Sequence, residues 1–145
     1  MINLFQESTK EESKQKILKD LQNRKKKKWP VGEDGIIFRY QEDSYDCGQT
    51  CLEMLGYEGH QMFPEKRGLR EEELEKIDGV KTYEGDNFFF KIPCMISTTN
   101  VFDEQRHWVI GHKDKIYCPT LGILPNKKYR KSVWFDNLYE IPLIN

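Results

Sequence analysis

The sequence lacks several features that would assign a protein to a membrane, the secretory route or nucleic acid. No apolar run approaches the roughly 20 residues that a helix needs to cross a bilayer. The start, MINLFQESTKEESKQK, lacks the basic stretch and apolar core of a signal peptide. Neither sign of charge dominates, since 23 Lys and Arg accompany 24 Asp and Glu. We therefore expect a soluble, cytoplasmic protein with no membrane segment and no nucleic-acid partner.

Cysteine and histidine are also scarce, with four and three copies in 145 residues. The cysteines are Cys47, Cys51, Cys94 and Cys118, and they do not form the paired C-x₂-C motifs of a structural zinc site. A reducing compartment favours free thiols over two disulfides. We therefore expect no bound metal and no cofactor.

The length and the order of sequence patterns predict one domain that follows a helical extension. A chain of 145 residues suits a single domain with its own core. Residues 8–28 carry an apolar stripe among charged residues, which predicts a helix within an N-terminal extension over residues 1–30. Residues 31–145 form the main domain. We interpret the basic run RKKKK as a solvated helix end, with binding to a phosphate-rich partner as the alternative.

In the main domain the pattern predicts helices first and strands later, which is typical of an α+β fold. A helix is expected over residues 47–56, closed by Gly56, and a second one in LREEELEKIDGV, stopped by Gly79. The segment between them, YEGHQMFPEKRG, is expected to be a loop. The segments NFFFKIPCMIST, RHWVIGHKDKIYCP and SVWFDNLYEIPL predict strands, with HKDK as a hairpin turn. We assign Trp108 and the aromatic run 88–90 to the core.

The helix at residues 47–56 begins with a cysteine, which is a chemically distinctive position. Asp46 is the expected N-cap, and Gln49 completes a capping-box pattern. The unpaired N–H groups of a first helical turn stabilise a thiolate, so we expect the pKa of Cys47 to fall below the free value of about 8.5. Gly48 leaves room for a substrate to approach the sulfur. Cys51 lies one turn further and is expected to be a small buried side chain.

A nucleophilic cysteine needs a base and donors for the oxyanion. Of the three histidines, His107 opens the strand-like run HWVIG, where a strand end can hold an imidazole against a helix start. His60 and His112 lie in a polar loop and beside a turn. Gln41 precedes Cys47 by six residues, close enough to bring its amide beside the sulfur as an oxyanion donor.

The motif Q-x₅-C-G-x-x-C-L-x-M-L-G, followed by H-W-V-I, resembles the papain-like cysteine peptidases. The nearest branch is the bacteriocin-processing, double-glycine-leader peptidases and their small stand-alone relatives. The resemblance covers roughly residues 36–119. It implies a papain-like fold over residues 31–145, with a central helix packed on an antiparallel sheet. It also implies that Cys47 is the nucleophile, that His107 is the base and that Gln41 lies in the oxyanion hole.

The chain departs from the family at the third catalytic residue. That residue is usually an Asp in an Asp-Pro pair, on the strand after the His, whereas this chain has Cys118 in KIYCPT. A thiol cannot orient an imidazole as a carboxylate does. Three explanations stay open: a Cys–His dyad, another orienting residue such as Asp114 or Asn126, or loss of catalysis with retention of the fold.

The expected function is that of a cysteine hydrolase that cleaves a peptide or isopeptide bond through a thioester on Cys47. The expected partner is a peptide or protein substrate, and the oligomeric state is left open. The alternatives are a glutamine deamidase on the same scaffold and a non-catalytic binding module that keeps the peptidase fold. A regulatory disulfide, or a metal bound by Cys47, His107 and Cys118, is a less favoured use of the same residues.

Overall fold

The computed structural model describes residues 35–145, which belong to one compact unit. The helix expected over residues 8–28 and its basic end lie outside the described residues. Within the described part of the chain, every helix is too short or too polar to span a membrane.

The helices are short, and they differ in extent from the sequence prediction. The first ends earlier than expected, because its last turn passes into Gly56, which has the left-handed φ of +99° that favours glycine. The second expected helix begins only at Glu71, since the carboxylate of Glu73 binds the N–H of Arg70 and holds it outside the helix. Four helices are described: α1 (Cys47–Met54), α2 (Gly59–Met62), α3 (Glu71–Glu75) and α4 (Asn126–Tyr129).

Helix α2 lies within the segment that we expected to be a loop, so that expectation was wrong. It packs against α1 through Gly59, where an added Cβ would lie only 2.1 Å from the carbonyl oxygen of Gln49. This close approach of two backbones is a tertiary contact. The Gly and Pro residues that suggested a loop carry no signal for it.

Six strands form one antiparallel sheet in the order β1-β6-β2-β3-β4-β5. The expected hairpin turn is confirmed, with Asp114 alone between β3 and β4. Helices and an antiparallel sheet together confirm the α+β class. The strands are β1 (Lys81–Thr82), β2 (Phe90–Asn100), β3 (Arg106–Lys113), β4 (Lys115–Cys118), β5 (Gly122–Pro125) and β6 (Val133–Glu140).

The sheet has the helix α1 against one face and a cluster of buried, mainly apolar side chains on the other. Helix α1 contacts β3, where the side chain of Trp108 packs against Gly48 at the start of the helix. Side chains alternate along a strand, so His107 and Val109 belong to the opposite face. That face carries the buried cluster of Phe90, Cys94, Ile96, Val109, Ile116, Cys118, Tyr129 and Val133. The strand β3 therefore joins the two layers.

The expected aromatic core is correct in part. Phe90 is fully buried and Trp108 nearly so. Phe88 and Phe89 are 57% and 44% exposed, so their assignment to the core was wrong. They precede β2 and escape its burial. The ring of Phe88 lies under the guanidinium of Arg130 instead, 4.1 Å from the cation to the ring centroid.

Candidate active site

Cys47 is the first residue of α1, and its sulfur contacts the sheet rather than solvent. Its residue is only 7% exposed, and Sγ accepts a hydrogen bond from the backbone N–H of Trp108 at 3.4 Å. This bond joins the start of α1 to the strand β3, next to His107. It gives the thiol a fixed position at the junction of helix and sheet.

The expected capping box at the start of α1 does not form, and the prediction was wrong. Asp46 occupies the N-cap position, but its buried carboxylate accepts the N–H groups of Glu42 and Asp43, at 3.3 and 3.0 Å. The Gln49 amide donates to the carbonyl oxygen of Arg67 at 3.0 Å. Asp46 therefore orders the loop before the helix, and Gln49 binds the loop that precedes α3.

The expected fall in the pKa of Cys47 is also contradicted. Burial is the largest influence and raises this pKa above its ordinary value. The N–H groups of Trp108 and Gly48 act in the opposite direction without outweighing burial. An eight-residue helix supplies only a partial charge, while removal from water disfavours the thiolate strongly. Cys47 is therefore a neutral thiol at neutral pH.

Gly48 serves packing at this junction. A Cβ at Gly48 would lie 2.5 Å from the Cβ of Leu69 and 2.9 Å from Cδ1 of Trp108. The indole N–H of Trp108 also donates to the carbonyl oxygen of Leu69 at 2.9 Å. Cys51 is fully buried, as expected. The site is thus built on a close contact between α1, β3 and the segment before α3.

A cleft of about 400 Å³ opens at the start of α1, and both Cys47 and His107 line it. No hydrogen bond links these two side chains within the described part of the chain. The walls also contain two acidic and two basic side chains, which give the cleft both signs of charge. These four are Arg70, Glu71, Glu72 and Arg106.

His107 is held on one side of its ring. Its Nε2 lies 3.5 Å from Sγ of Cys118 and 3.3 Å from Oγ1 of Thr120. Nδ1 has no hydrogen-bond partner among residues 35–145. Burial lowers the pKa of His107 to about 4, so the imidazole is neutral at neutral pH and can accept a proton.

Behind His107 lies a second cavity of about 200 Å³, which Cys118 and Tyr129 line together with His107. Cys118 and Tyr129 also belong to the same buried cluster. Burial is the main reason why the pKa of each of these two groups is raised. Both therefore stay protonated at neutral pH.

The structure places Gln41 near His107 through an intermediate residue. Its Nε2 donates to the carbonyl oxygen of Asp43 at 2.6 Å, and its Oε1 accepts the hydroxyl of Thr120 at 2.8 Å. Its backbone N–H binds the carbonyl oxygen of Pro119 at 3.0 Å. Among the described residues, no bond joins Gln41 to Cys47. The expected oxyanion donor is thus directed elsewhere in this structure.

Of the three candidates for the orienting residue, the structure places only Cys118 beside His107. Asp114 lies in the hairpin turn, at the opposite end of β3, where its carbonyl oxygen accepts the N–H of Asn126 at 2.8 Å. Asn126 is buried, and its amide donates to Asn87 at 2.9 Å. Neither of these two is bonded to His107, so a role for them in orienting it is contradicted by their positions.

The other two histidines lie away from the cleft walls. His60 contacts two carboxylates, with Nε2 2.8 Å from Asp46 and Nδ1 bonded to Glu53. His112 is buried within β3. All four cysteines are free thiols, and residues 35–145 hold no group of three His, Cys, Asp or Glu side chains arranged for a metal ion.

Thr120 and Tyr129 contact the site residues but were not expected from the sequence. Thr120 was detectable in principle, because the β3–β4 register pairs His112 with Lys115 and Ile110 with Tyr117. Extrapolated past the end of β4, the same spacing matches Thr120 with His107, and the two side chains are in contact. Tyr129 comes from α4, and no local pattern connects it with Cys118.

Comparison with known proteins adds no further constraint on the site. No protein-family model matches this chain, and a search of curated proteins finds no match.

Proposed function

We propose that this protein is a papain-like cysteine hydrolase that cleaves a peptide or isopeptide bond, with Cys47 as nucleophile and His107 as base. One observation carries the proposal. Cys47 and His107 line the same cleft, while contacts to Nε2 hold the imidazole from behind and leave Nδ1 without a partner. A nucleophile beside a supported base is the arrangement that acyl transfer requires.

The neutral state of both groups determines how the reaction begins. Because the pKa of Cys47 is raised and that of His107 is lowered, the resting site holds a thiol and a neutral imidazole. The thiol proton passes to Nδ1 as Sγ attacks the carbonyl carbon of the substrate. The backbone N–H of Cys47, at the start of α1, donates to the resulting oxyanion.

Collapse of the tetrahedral intermediate breaks the C–N bond, and the imidazolium gives its proton to the departing amine. Water then attacks the thioester with His107 again as base, which releases the acid and restores the thiol. The role of Gln41 as a second oxyanion donor stays a prediction. Its amide would first have to leave Asp43 and Thr120.

A papain-like arrangement is supported by three features of the described chain. A helix that begins with the candidate nucleophile packs on an antiparallel sheet. The candidate base lies at the start of a strand of that sheet. Cys118 follows on the next strand, at the position where the resembled family has its orienting carboxylate.

Acylation by an activated ester tests the proposal without knowledge of the substrate. We expect p-nitrophenyl acetate to place an acetyl group on Cys47, detected by intact mass and peptide mapping. Cys47→Ala should abolish the adduct, and His107→Ala should slow its formation by about 10²- to 10⁴-fold. Cys94→Ala, which removes a buried thiol elsewhere, is the matched control and should acylate normally. A folded protein that forms no adduct at Cys47 and releases no p-nitrophenol in a Cys47-dependent reaction contradicts the proposal.

A non-catalytic binding module is the second candidate, and two observations favour it. The pKa of Cys47 is raised, and no hydrogen bond joins it to His107. This alternative predicts that peptide ligands occupy the cleft but that His107→Ala leaves the reactivity of Cys47 unchanged. A deamidase would instead release ammonia from glutamine-containing peptides, with the same dependence on both residues.

A further inference from the structure

We propose that Gln41 and Thr120 together fix the tautomer of His107, with the proton on Nε2 and the lone pair on Nδ1. The two residues thereby do part of the work that a carboxylate does in other cysteine hydrolases. The inference rests on the proposed function only where it makes Nδ1 of His107 the general base. The tautomer itself is a property of the resting protein.

The assignment follows from counting protons along a chain of three bonds. The Gln41 NH₂ group donates to the carbonyl oxygen of Asp43 at 2.6 Å, and this orients the amide so that its Oε1 faces Thr120. The hydroxyl of Thr120 has a single proton, which it gives to that Oε1 at 2.8 Å. Toward His107, Thr120 can therefore only accept.

The acceptor character of Thr120 determines which nitrogen of His107 is protonated. Nε2 lies 3.3 Å from Thr120 Oγ1 and must carry the hydrogen to satisfy it. A neutral imidazole has only one N–H, so Nδ1 keeps its lone pair. That is the nitrogen without a partner, and it is the one that a general base requires.

Cys118 does not determine the tautomer by itself. A thiol is both a weak donor and a weak acceptor, so its 3.5 Å contact with Nε2 is compatible with either form of the ring. Cys118 therefore packs against the ring, and the hydrogen bond with Thr120 determines which nitrogen of His107 is protonated.

The backbone keeps the Gln41–Thr120 pair in register. The N–H of Gln41 binds the carbonyl oxygen of Pro119 at 3.0 Å, next to Thr120 in the chain. Thr120 itself follows the end of β4 by two residues and lies 3.3 Å from His107 Nε2. The segment before α1 is thus tied to the end of the hairpin, and Gln41 is a positioning residue at that junction.

Nitrogen NMR of the folded protein tests the inference at neutral pH, where His107 is uncharged. In ¹⁵N-labelled protein the protonated and bare ring nitrogens give separate signals, and we expect His107 to be predominantly the Nε2–H form. Loss of one neutral hydrogen bond of ~1 kcal/mol corresponds to about a fivefold change in the tautomer ratio. Thr120→Val should therefore reduce the ratio by about fivefold, and Thr120→Ser should restore it.

Gln41→Met gives the sharper result, because it leaves the ring and both of its contacts in place. Without an acceptor, the Thr120 hydroxyl is free to turn its proton toward Nε2. We expect the Nδ1–H form to increase at least as much as in Thr120→Val. Gln61→Met, a matched change at an exposed glutamine, should leave the ratio unaltered.

Three outcomes overturn the inference. They are a resting ring in the Nδ1–H form, a ratio that is the same in Thr120→Val and Gln41→Met as in the wild type, and a larger change in Cys118→Ala than in either. The acylation assay is independent of these results. A chain whose tautomer responds as expected but whose Cys47 is not acylated would contradict the proposed function and leave this inference standing.

Discussion

The sulfur of Cys118 lies 3.5 Å from Nε2 of His107, at the point where a carboxylate would orient a catalytic imidazole. A neutral thiol leaves the imidazole without a negative partner, and burial then dominates its titration. The proposed site therefore has a neutral thiol at the position where a catalytic triad has its carboxylate. A negative charge introduced at position 118 tests the effect of this difference on His107.

Cys118→Asp should raise the pKa of His107 from its value of about 4. An adjacent negative charge favours the imidazolium and shifts a pKa by about 1 to 3 units. NMR titration of the ring signals provides the measurement. Cys118→Asn, which has a similar shape without the charge, is the control and should leave the titration nearly where it is. An equal response to Asp and Asn would show that shape matters and charge does not.

Alkylation of Cys47 should depend on pH with an inflection above that of a free cysteine in a peptide. Burial raises the pKa of Cys47, and only the thiolate reacts, so the rate at neutral pH should be lower than that of the peptide. Iodoacetamide labelling followed by peptide mass mapping gives the profile for this one thiol. A profile with its inflection below that of the peptide would contradict the burial argument and favour an ion pair with His107.

His60 should stabilise the fold more below pH 6 than above pH 8. Burial lowers its pKa, but the hydrogen bonds to Glu53 and Asp46 outweigh that effect and raise it above the ordinary value of 6.5. A raised pKa contributes stability below the unfolded value, and this contribution is lost as pH rises through the folded value. Urea unfolding of the wild type and His60→Gln should show the larger difference in free energy of unfolding at the lower pH.

Gly48→Ala should destabilise the protein by about 1–3 kcal/mol, the range found when a packed site is overfilled. The added methyl would collide with Leu69 and Trp108, and neither neighbour can withdraw without moving the segment before α3 or the strand β3. Gly68→Ala is a matched control on the same cleft, since its Cβ would meet nothing closer than 3.9 Å. Thermal unfolding of both variants provides the comparison.

Local patterns predicted the coarse fold well where one element could be considered alone. The helix that starts at Cys47, the hairpin around Asp114 and the strand of His107 all follow from periodicity and turn chemistry. The buried Cys51 followed from its position one turn after Cys47. In each case the deciding information lay within about ten residues of sequence.

Predictions failed where the outcome depends on what lies outside the helix α1. The Asp46 carboxylate serves the loop before it and His60, and so it does not cap its own helix. The helix dipole suggested an acidic thiol at Cys47, but burial raises the pKa of this thiol and outweighs the opposing effect of the Trp108 N–H. Capping and dipole rules describe an isolated helix, whereas both outcomes depend on what packs against it.

Trp108 shows how the position of the Cys47 thiol can be kept when the sequence changes. Its main-chain N–H binds the Cys47 sulfur, its main-chain carbonyl accepts the Cys51 thiol, and only the bond to Leu69 needs the indole. Peptide groups are the same whichever side chain they carry. Divergence at this position would therefore reshape the wall of the cleft while leaving the Cys47 thiol where it is, so the shape of the cleft and the placement of the thiol can evolve separately.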